Sequence, residues 1–220
     1  MTDARPPLQL GLRERKKQQT RQLIAETARR LFAERGFDQV TVAEVARAAD
    51  VSQQTVFNYF PTKEDLVYWR LGAFEEQLLT TIRDRDQGES ALSAFRRFLL
   101  GQQGLLGTPE PAAREMLAAI ARTIAESPAL LAREEQIFSR FTDALAVLLA
   151  DETGADPDDV KAWVAANAIM SVHRAVVAHA RRRVIEGARH PDLADEIRAR
   201  VEEAVALLEG GLGAYAVKGA

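Results

Sequence analysis

The chain of 220 residues has no cysteine. This rules out a disulfide framework and any thiolate metal site, and it is compatible with a reducing compartment. The first residues contain no apolar run of the kind that directs secretion, so a cytoplasmic, nucleoid-associated protein is expected. Nowhere does apolar and polar sequence alternate over a useful length, which argues against strands. Glycine-rich phosphate loops, G-x-S-x-G and H-E-x-x-H are all absent; GGLG at Gly210 has neither the glycine spacing nor a preceding strand. His173 and His179 are six apart and so lie on different faces of a helix, and His190 follows a turn. We therefore expect no enzyme, no metal and no cofactor. Excess positive charge is lacking too: the formal net charge is −3.

What is present is a core, with 47% hydrophobic residues, and one stretch that organises the rest. Thr41 followed by Glu44 forms a capping box that opens a short helix. Val42, Val45, Ala46 and Ala49 give that helix one apolar face. It ends at Asp50, one of the few residues other than glycine that tolerates a left-handed turn. Val51 plugs the corner, and Ser52 caps a second short helix whose inward residues are Val56 and Phe60. Pro61 closes it, and Thr62 with Asp65 starts a third helix. Two short helices joined by a tight turn make a helix-turn-helix.

With Val56 and Phe60 turned inward, Ser52, Gln53, Gln54, Thr55, Phe57, Asn58 and Tyr59 remain for the outer surface. None is charged. Gln and Asn pair bidentately with adenine in the major groove, whereas Ser, Thr and Tyr reach phosphates. An ordinary solvated face would carry Lys and Glu. The sequence-independent attraction comes from elsewhere: Arg13, Arg15, Lys16, Lys17, Arg21, Arg29, Arg30 and Arg35 crowd the preceding helix against Glu14, Glu26 and Glu34. If roughly 6–10 phosphates are neutralised per dimer, affinity should fall about 10³–10⁵-fold between 50 and 200 mM salt.

The stretch from about Arg21 to Leu66, through LFAERGFDQVTVAEVARAADVSQQTVFNYFPTKEDL, resembles the DNA-binding domain of the TetR/AcrR transcriptional regulators. Gly36, Thr41, Val51, Ser52, Thr55, Phe60, Lys63 and Leu66 stand in the family's places. The resemblance implies that Gln53, Gln54, Thr55 and Asn58 face bases, while Thr41, Phe57, Tyr59 and Lys63 sit on the phosphate backbone. The chain departs from the pattern at Asp50, where Gly is commoner, at Phe57, where Tyr is commoner, and at Ala43, where some relatives carry a longer, base-reading side chain.

The expected fold is all-α. Residues 1–12 read as a disordered arm whose Arg5 is a candidate for a minor groove. Residues 13–66 form the helix-turn-helix domain, with a first helix from about Arg15 to Arg35, stopped by Gly36, and a buried stripe of Ile24, Ala28, Leu31 and Phe32. Residues 67–220 form a helical ligand-binding and dimerisation domain. A helix is expected to run on from Lys63 through LVYWRLGAFEEQLLTTIRDR, with Tyr68, Trp69 and Phe74 as packing residues and the polar stretch Asp84–Glu89 as a boundary. Further helices are marked by Ser90, Ser127-Pro128, Asp156-Pro157 and His190-Pro191-Asp192, with a loop at 104–111.

AWVAANAIMSVHRAVVAHA (162–180) is low in polarity, but His173, Arg174, Asn167 and Ser171 interrupt it. A membrane span needs about 20 apolar residues without a central charge, so burial against other helices is the better reading. The helices at about 157–186 and 192–209, the latter with a stripe of Leu193, Ile197, Val201, Ala204, Val205 and Leu208, are expected to face their copies across a two-fold axis. A homodimer would read a pseudo-palindromic double-stranded DNA operator with half-sites about 34–36 Å apart.

The candidate lining of an effector pocket is Phe95, Phe98, Met116, Ile120, Phe138, Phe141, Met170, His173 and Arg174, each with core packing as the plain alternative. Arg174 needs a partner, either an effector carboxylate or phosphate or an acidic residue of a neighbouring helix. The run Arg181-Arg182-Arg183 near the helix end suits the helix dipole. From about Ile124 to Val176, SPALLAR and G-x-DPDD-x4-V are similar to a TetR subgroup described as having an acyl-CoA-like ligand-binding domain. That resemblance implies an acyl-chain effector. The alternative is a second domain that recognises a protein partner.

Overall fold

The computed structural model describes residues 11–102, 110–156, 160–188, 192–212 and 217. Arg5, His190 and most of the expected arm and 104–111 loop lie outside the described residues. The chain divides into two units, Met1–Trp69 and Arg70–Ala220, three residues beyond the 66/67 boundary read from the sequence.

The first unit holds α1 (Leu12–Arg35), α2 (Val42–Ala48), α3 (Gln53–Tyr59) and a 3-10 turn at Glu64–Leu66. Helix α1 stops where Gly36 takes a φ of 83° and sends its N–H back to the Phe32 carbonyl. Ile24, Ala25, Ala28 and Phe32 are buried, whereas Leu31 is half-buried. They pack with Val40, Val45, Val56, Phe60 and Leu66 as a small closed core. The helix expected to run on from Lys63 is broken. Thr62 and Asp65 do cap each other, at 3.1 and 3.3 Å, but only one 3-10 turn follows before α4 begins at Leu71. Leu66 and Tyr68 are both buried. Residues two apart lie about 200° apart around an α-helix, so no continuous helix buries both against one core.

The second unit holds α4 (Leu71–Arg83), α5 (Ala91–Gly101), α6 (Pro111–Glu126), α7 (Pro128–Thr153), α8 (Val160–Ile185) and α9 (Asp192–Leu212). Among the described residues the only extended pairing is an isolated bridge between Ser90 and Val217. Proline opens α6 and α7, and Ser127 caps α7. Gly154 ends α7 in the left-handed region. Helices α7 and α8 form the most extensive pair, flanked by α6 and α9.

Asp84–Glu89 is not a boundary: it turns α4 into α5 inside this unit. The buried Arg85 fastens it, donating to the carbonyls of Ile82 and Glu89 at 2.6 and 3.0 Å and to Glu152 of α7 at 2.9 Å. The α9 stripe also differs from its expected role. Leu193, Ile197, Val201 and Val205 are buried within their own chain, leaving Leu207, 85% exposed, as the large apolar residue on the outer side. Arg181 and Arg183 pair across helices with Glu134 and Glu196, so specific carboxylates, and not only the helix dipole, account for them. No helix of the described residues is long and apolar enough to cross a membrane.

Candidate nucleic-acid interface

The outer face of α3 is set by two local devices. Upstream, Thr41 and Glu44 cap each other: the Thr41 N–H donates to Glu44 Oε2 at 2.8 Å, and the Glu44 N–H donates to Thr41 Oγ1 at 3.2 Å. Arg35 donates to the other Glu44 oxygen at 2.7 Å, tying α1 to α2. Hydrogen bonds from Thr41 and then Arg35 hold the Glu44 carboxyl down to a pKa of about 2. Arg35, grouped from sequence with the phosphate-facing cations, is thus an interhelical strut. Downstream, Asp50 takes a φ of 53°, and the Val51 N–H returns to the Ala46 carbonyl at 3.0 Å. The left-handed turn that glycine usually makes is made here by Asp. Ser52 Oγ then accepts from the Thr55 N–H at 3.0 Å and starts α3.

These caps fix which side chains point outward. Val56 and Phe60 are buried, each 1% exposed. Gln53, Gln54, Phe57 and Asn58 are exposed; Thr55 and Tyr59 are half-buried. Gln54 Nε2 donates to Asn58 Oδ1 at 3.1 Å, so the two amides are held together one turn apart. Gln54 keeps its oxygen as an acceptor and Asn58 keeps its amide hydrogens, the pattern adenine's N6 and N7 require. The Thr55 hydroxyl lies 2.7 Å from Ser52 Oγ and so supports the cap as well as facing outward. Thr41 is exposed at the start of α2.

Two cations differ in their settings. Lys63 Nζ lies 4.1 Å from the centroid of Phe37 and 5.9 Å from that of Phe32, and desolvation there lowers its pKa. Arg13, Lys16 and Lys17 instead line an open cleft of about 740 Å³ with Gly11, Glu14, Thr20 and Tyr59. This cleft joins the start of α1 to the end of α3. Thr20 carries no signal in the sequence, because its place one turn after Lys16 gains meaning only beside Tyr59.

In the second unit the nine candidate pocket residues separate into groups. Phe98, Phe141 and His173 meet around Phe74 of α4, and Phe138 joins the group through Phe141 and His173. Phe74 stacks on His173 with centroids 4.7 Å apart, and it lies 5.0 Å from Phe98 and 6.1 Å from Phe141. Phe138 meets His173 edge-on at 5.1 Å. Phe95, Ile120 and Met170 are buried; Met116 and Arg174 are half-buried. Phe74, expected as a packing residue, shares a helix face with the buried Leu78 and Ile82. Arg174 has the second of its two expected partners, pairing with Glu135 of α7.

His173 is 5% exposed, and neither ring nitrogen has a hydrogen-bond partner among the described residues. Each buried unsatisfied group of this kind costs about 1–3 kcal/mol. Burial, and secondarily the Arg174 charge, lower its pKa to about 4. Among the described residues no group of three His, Asp or Glu side chains is placed to hold a metal.

A paired-helix reading head on a basic first helix defines the molecule as a helix-turn-helix DNA-binding protein. The model of the "Bacterial regulatory proteins, tetR family" matches residues 24–68. Over 151 residues the chain is 30% identical to the HTH-type transcriptional regulator TcmR of Streptomyces glaucescens, covering 68% of this chain and 67% of that protein. It is 46% identical over 63 residues to the HTH-type transcriptional regulator LuxR of Vibrio harveyi, 29% of this chain and 28% of that one. Among solved structures, native NalD of Pseudomonas aeruginosa, the secondary repressor of the MexAB-OprM multidrug efflux pump, superposes with a TM-score of 0.54 at 20% identity, over 86% of this chain and 96% of that one. The chain belongs to the TetR family: it is a DNA-binding transcriptional regulator and not an enzyme.

Proposed function

We propose that this regulator is a cytoplasmic homodimeric repressor that binds a pseudo-palindromic operator and is released by a small-molecule effector. The observation that carries the DNA half of the reading is the outer face of α3. It is uncharged, hydrogen-bonding and set by the Asp50 turn and the Ser52 cap that precede it. Gln53, Gln54, Thr55 and Asn58 read bases; Ser52, Thr41, Phe57, Tyr59 and Lys63 position the backbone, with the Arg13–Lys17 cleft beside Tyr59 adding phosphate contacts. Dimerisation falls to α8 and α9. The exposed Trp163, Val164 and Leu207, and the groove that Ala175, Val176, Ala204 and Leu207 help to line, provide apolar surface for a copy to cover.

The effector site is assigned to the second unit, where aromatic side chains of four helices converge. Effector binding favours one arrangement of α4, which follows the reading head in the chain, and so changes the spacing of the two α3 helices. The ligand lowers DNA affinity by the ratio of its affinities for the two states. The test is a disulfide cross-link, through introduced cysteines, that fixes the spacing of the α3 helices in the dimer. The cross-linked protein should hold its operator whatever effector is added. Release undiminished by the cross-link rejects the mechanism.

A further inference from the structure

We propose that Phe57 reads the 5-methyl group of a thymine in each half-site, beside the adenine that Gln54 and Asn58 hold. This rests on the reading of α3 as the helix that enters the major groove, and it gives that face a second, apolar element of specificity.

Exposure singles the residue out. Of the nine phenylalanines in the chain, seven are buried and Phe74 is half-buried, so Phe57, 40% exposed, is the only one turned to solvent. A lone apolar residue on a surface needs no explanation by itself. Its neighbours supply one here. Gln53, Gln54 and Asn58, exposed on the same short helix, carry the amides that pair with base edges. Residues three apart on a helix stand about 5–6 Å from each other, one to two steps of a duplex that rises about 3.4 Å per base pair. The Phe57 ring therefore lies over the base pairs next to the one that Gln54 engages.

Placement on the helix separates Phe57 from the basic cleft. Tyr59 lines that cleft with Arg13, Lys16 and Lys17. Around an α-helix, Gln54 lies about 60° from Phe57, Asn58 about 100° and Tyr59 about 200°. The two amides thus stand between the two aromatic residues, and Phe57 takes the flank away from the cations of the cleft.

Chemistry then selects the target. A phenyl ring has no hydrogen-bonding atom, so it can satisfy neither a phosphate oxygen nor a donor or acceptor of a base edge. Pressed over such a group it leaves the group unpaired, at a cost in affinity. The one apolar group that a base edge shows in the major groove is the thymine methyl. Covering it removes both ring and methyl from water. Packing on the sugar–phosphate edge and covering a methyl are compatible for one ring, because both contacts are undirected.

The experiment starts from an operator that the full-length protein selects out of randomised duplex DNA. Each thymine is then replaced in turn by deoxyuridine, which removes the methyl and keeps the base pairing, and binding is titrated with wild type, Phe57→Ala and Phe57→Leu. One thymine per half-site, within about two base pairs of the position that Gln54→Ala relaxes, should stand out. Its replacement should weaken wild type about fourfold, the equivalent of one buried methyl. Replacement in both half-sites should weaken it about fifteenfold, because the two contacts are distant and add. Phe57→Ala should lose the penalty, and Phe57→Leu, which keeps an apolar side chain, should keep part of it. No penalty at any thymine, or a penalty undiminished in Phe57→Ala, overturns the proposal. An operator that Gln54→Ala relaxes at one base pair, but that tolerates uracil throughout, removes the Phe57 assignment and leaves the reading face in place. Failure of the selection to enrich any sequence removes both.

Discussion

The two units solve opposite problems with their polar groups. In the first, hydrogen-bonding side chains serve caps or stand in solvent: Thr41, Glu44, Ser52, Thr62 and Asp65 each close a backbone turn within three residues. In the second, a polar ring is carried into the core with no hydrogen-bond partner among the described residues. A reading head needs one rigid surface, and its caps and its buried face agree on it, with Asp50 the one residue other than glycine held at positive φ among the described residues. A sensor needs somewhere for binding energy to act, so one preference is left unmet.

That contrast can be broken at several points. The largest effect is expected from Phe60→Ala, which opens a cavity in the small core and should cost about 3–5 kcal/mol. Calorimetry should show the first unit's transition moving to lower temperature while the second unit's stays. A common shift of both would mean the units are not energetically separate.

Acid sharpens the comparison. His173 has a folded pKa of about 4, whereas the unfolded chain takes up that proton near 6.5. Protonation therefore favours unfolding, and the second unit should lose about 3 kcal/mol as pH falls from 6.5 to 4. His173→Leu should flatten that stretch of the stability–pH curve. Glu44 acts lower down. Its folded pKa is depressed to about 2, so its contribution is intact above about 4.5 and fades as pH falls toward 2. Denaturant melts monitored at intervals between pH 7 and 2 should show the second unit weakening first.

Smaller effects concern the reading surface itself. Gln54→Ala should relax preference at one base pair by about 1–3 kcal/mol, while Tyr59→Ala should weaken binding to every sequence alike. Binding assays against a randomised operator decide it, and uniform loss in both variants would overturn the division of roles. Smallest is the turn. Asp50→Val should cost about 1–2 kcal/mol because a branched side chain resists positive φ, with Asp50→Gly close to neutral in the same thermal melts.

The first unit was legible because its determinants lie within a few residues of each other. Ser52, Asp50 and Pro61 specify caps and turns wherever they occur, and Val56 with Phe60 fixes which face is left. Legibility failed where distant residues decided. The sequence near Lys63 has helix-forming character, but burial of both Leu66 and Tyr68 interrupts it. Asp84–Glu89 has the composition of a linker, and only Glu152, 67 positions from Arg85, reveals it as a fastened turn. Arg174 needed a partner by general electrostatics, yet its choice of Glu135 depends on how α7 and α8 face each other. Phe74 belongs with His173 only once α4 is laid against α8.

Arg85 has a mechanical consequence. It anchors the C-terminal end of α4 through two carbonyls and Glu152 of α7, and one turn from the start of the helix Glu75 pairs with Arg140, also of α7. At about 1.5 Å per residue, Glu75 stands about 12 Å from the end of α4. The helix is thus clamped to one neighbour at two separate points, so it follows a shift of α7 as a strut and does not swing as a hinged arm.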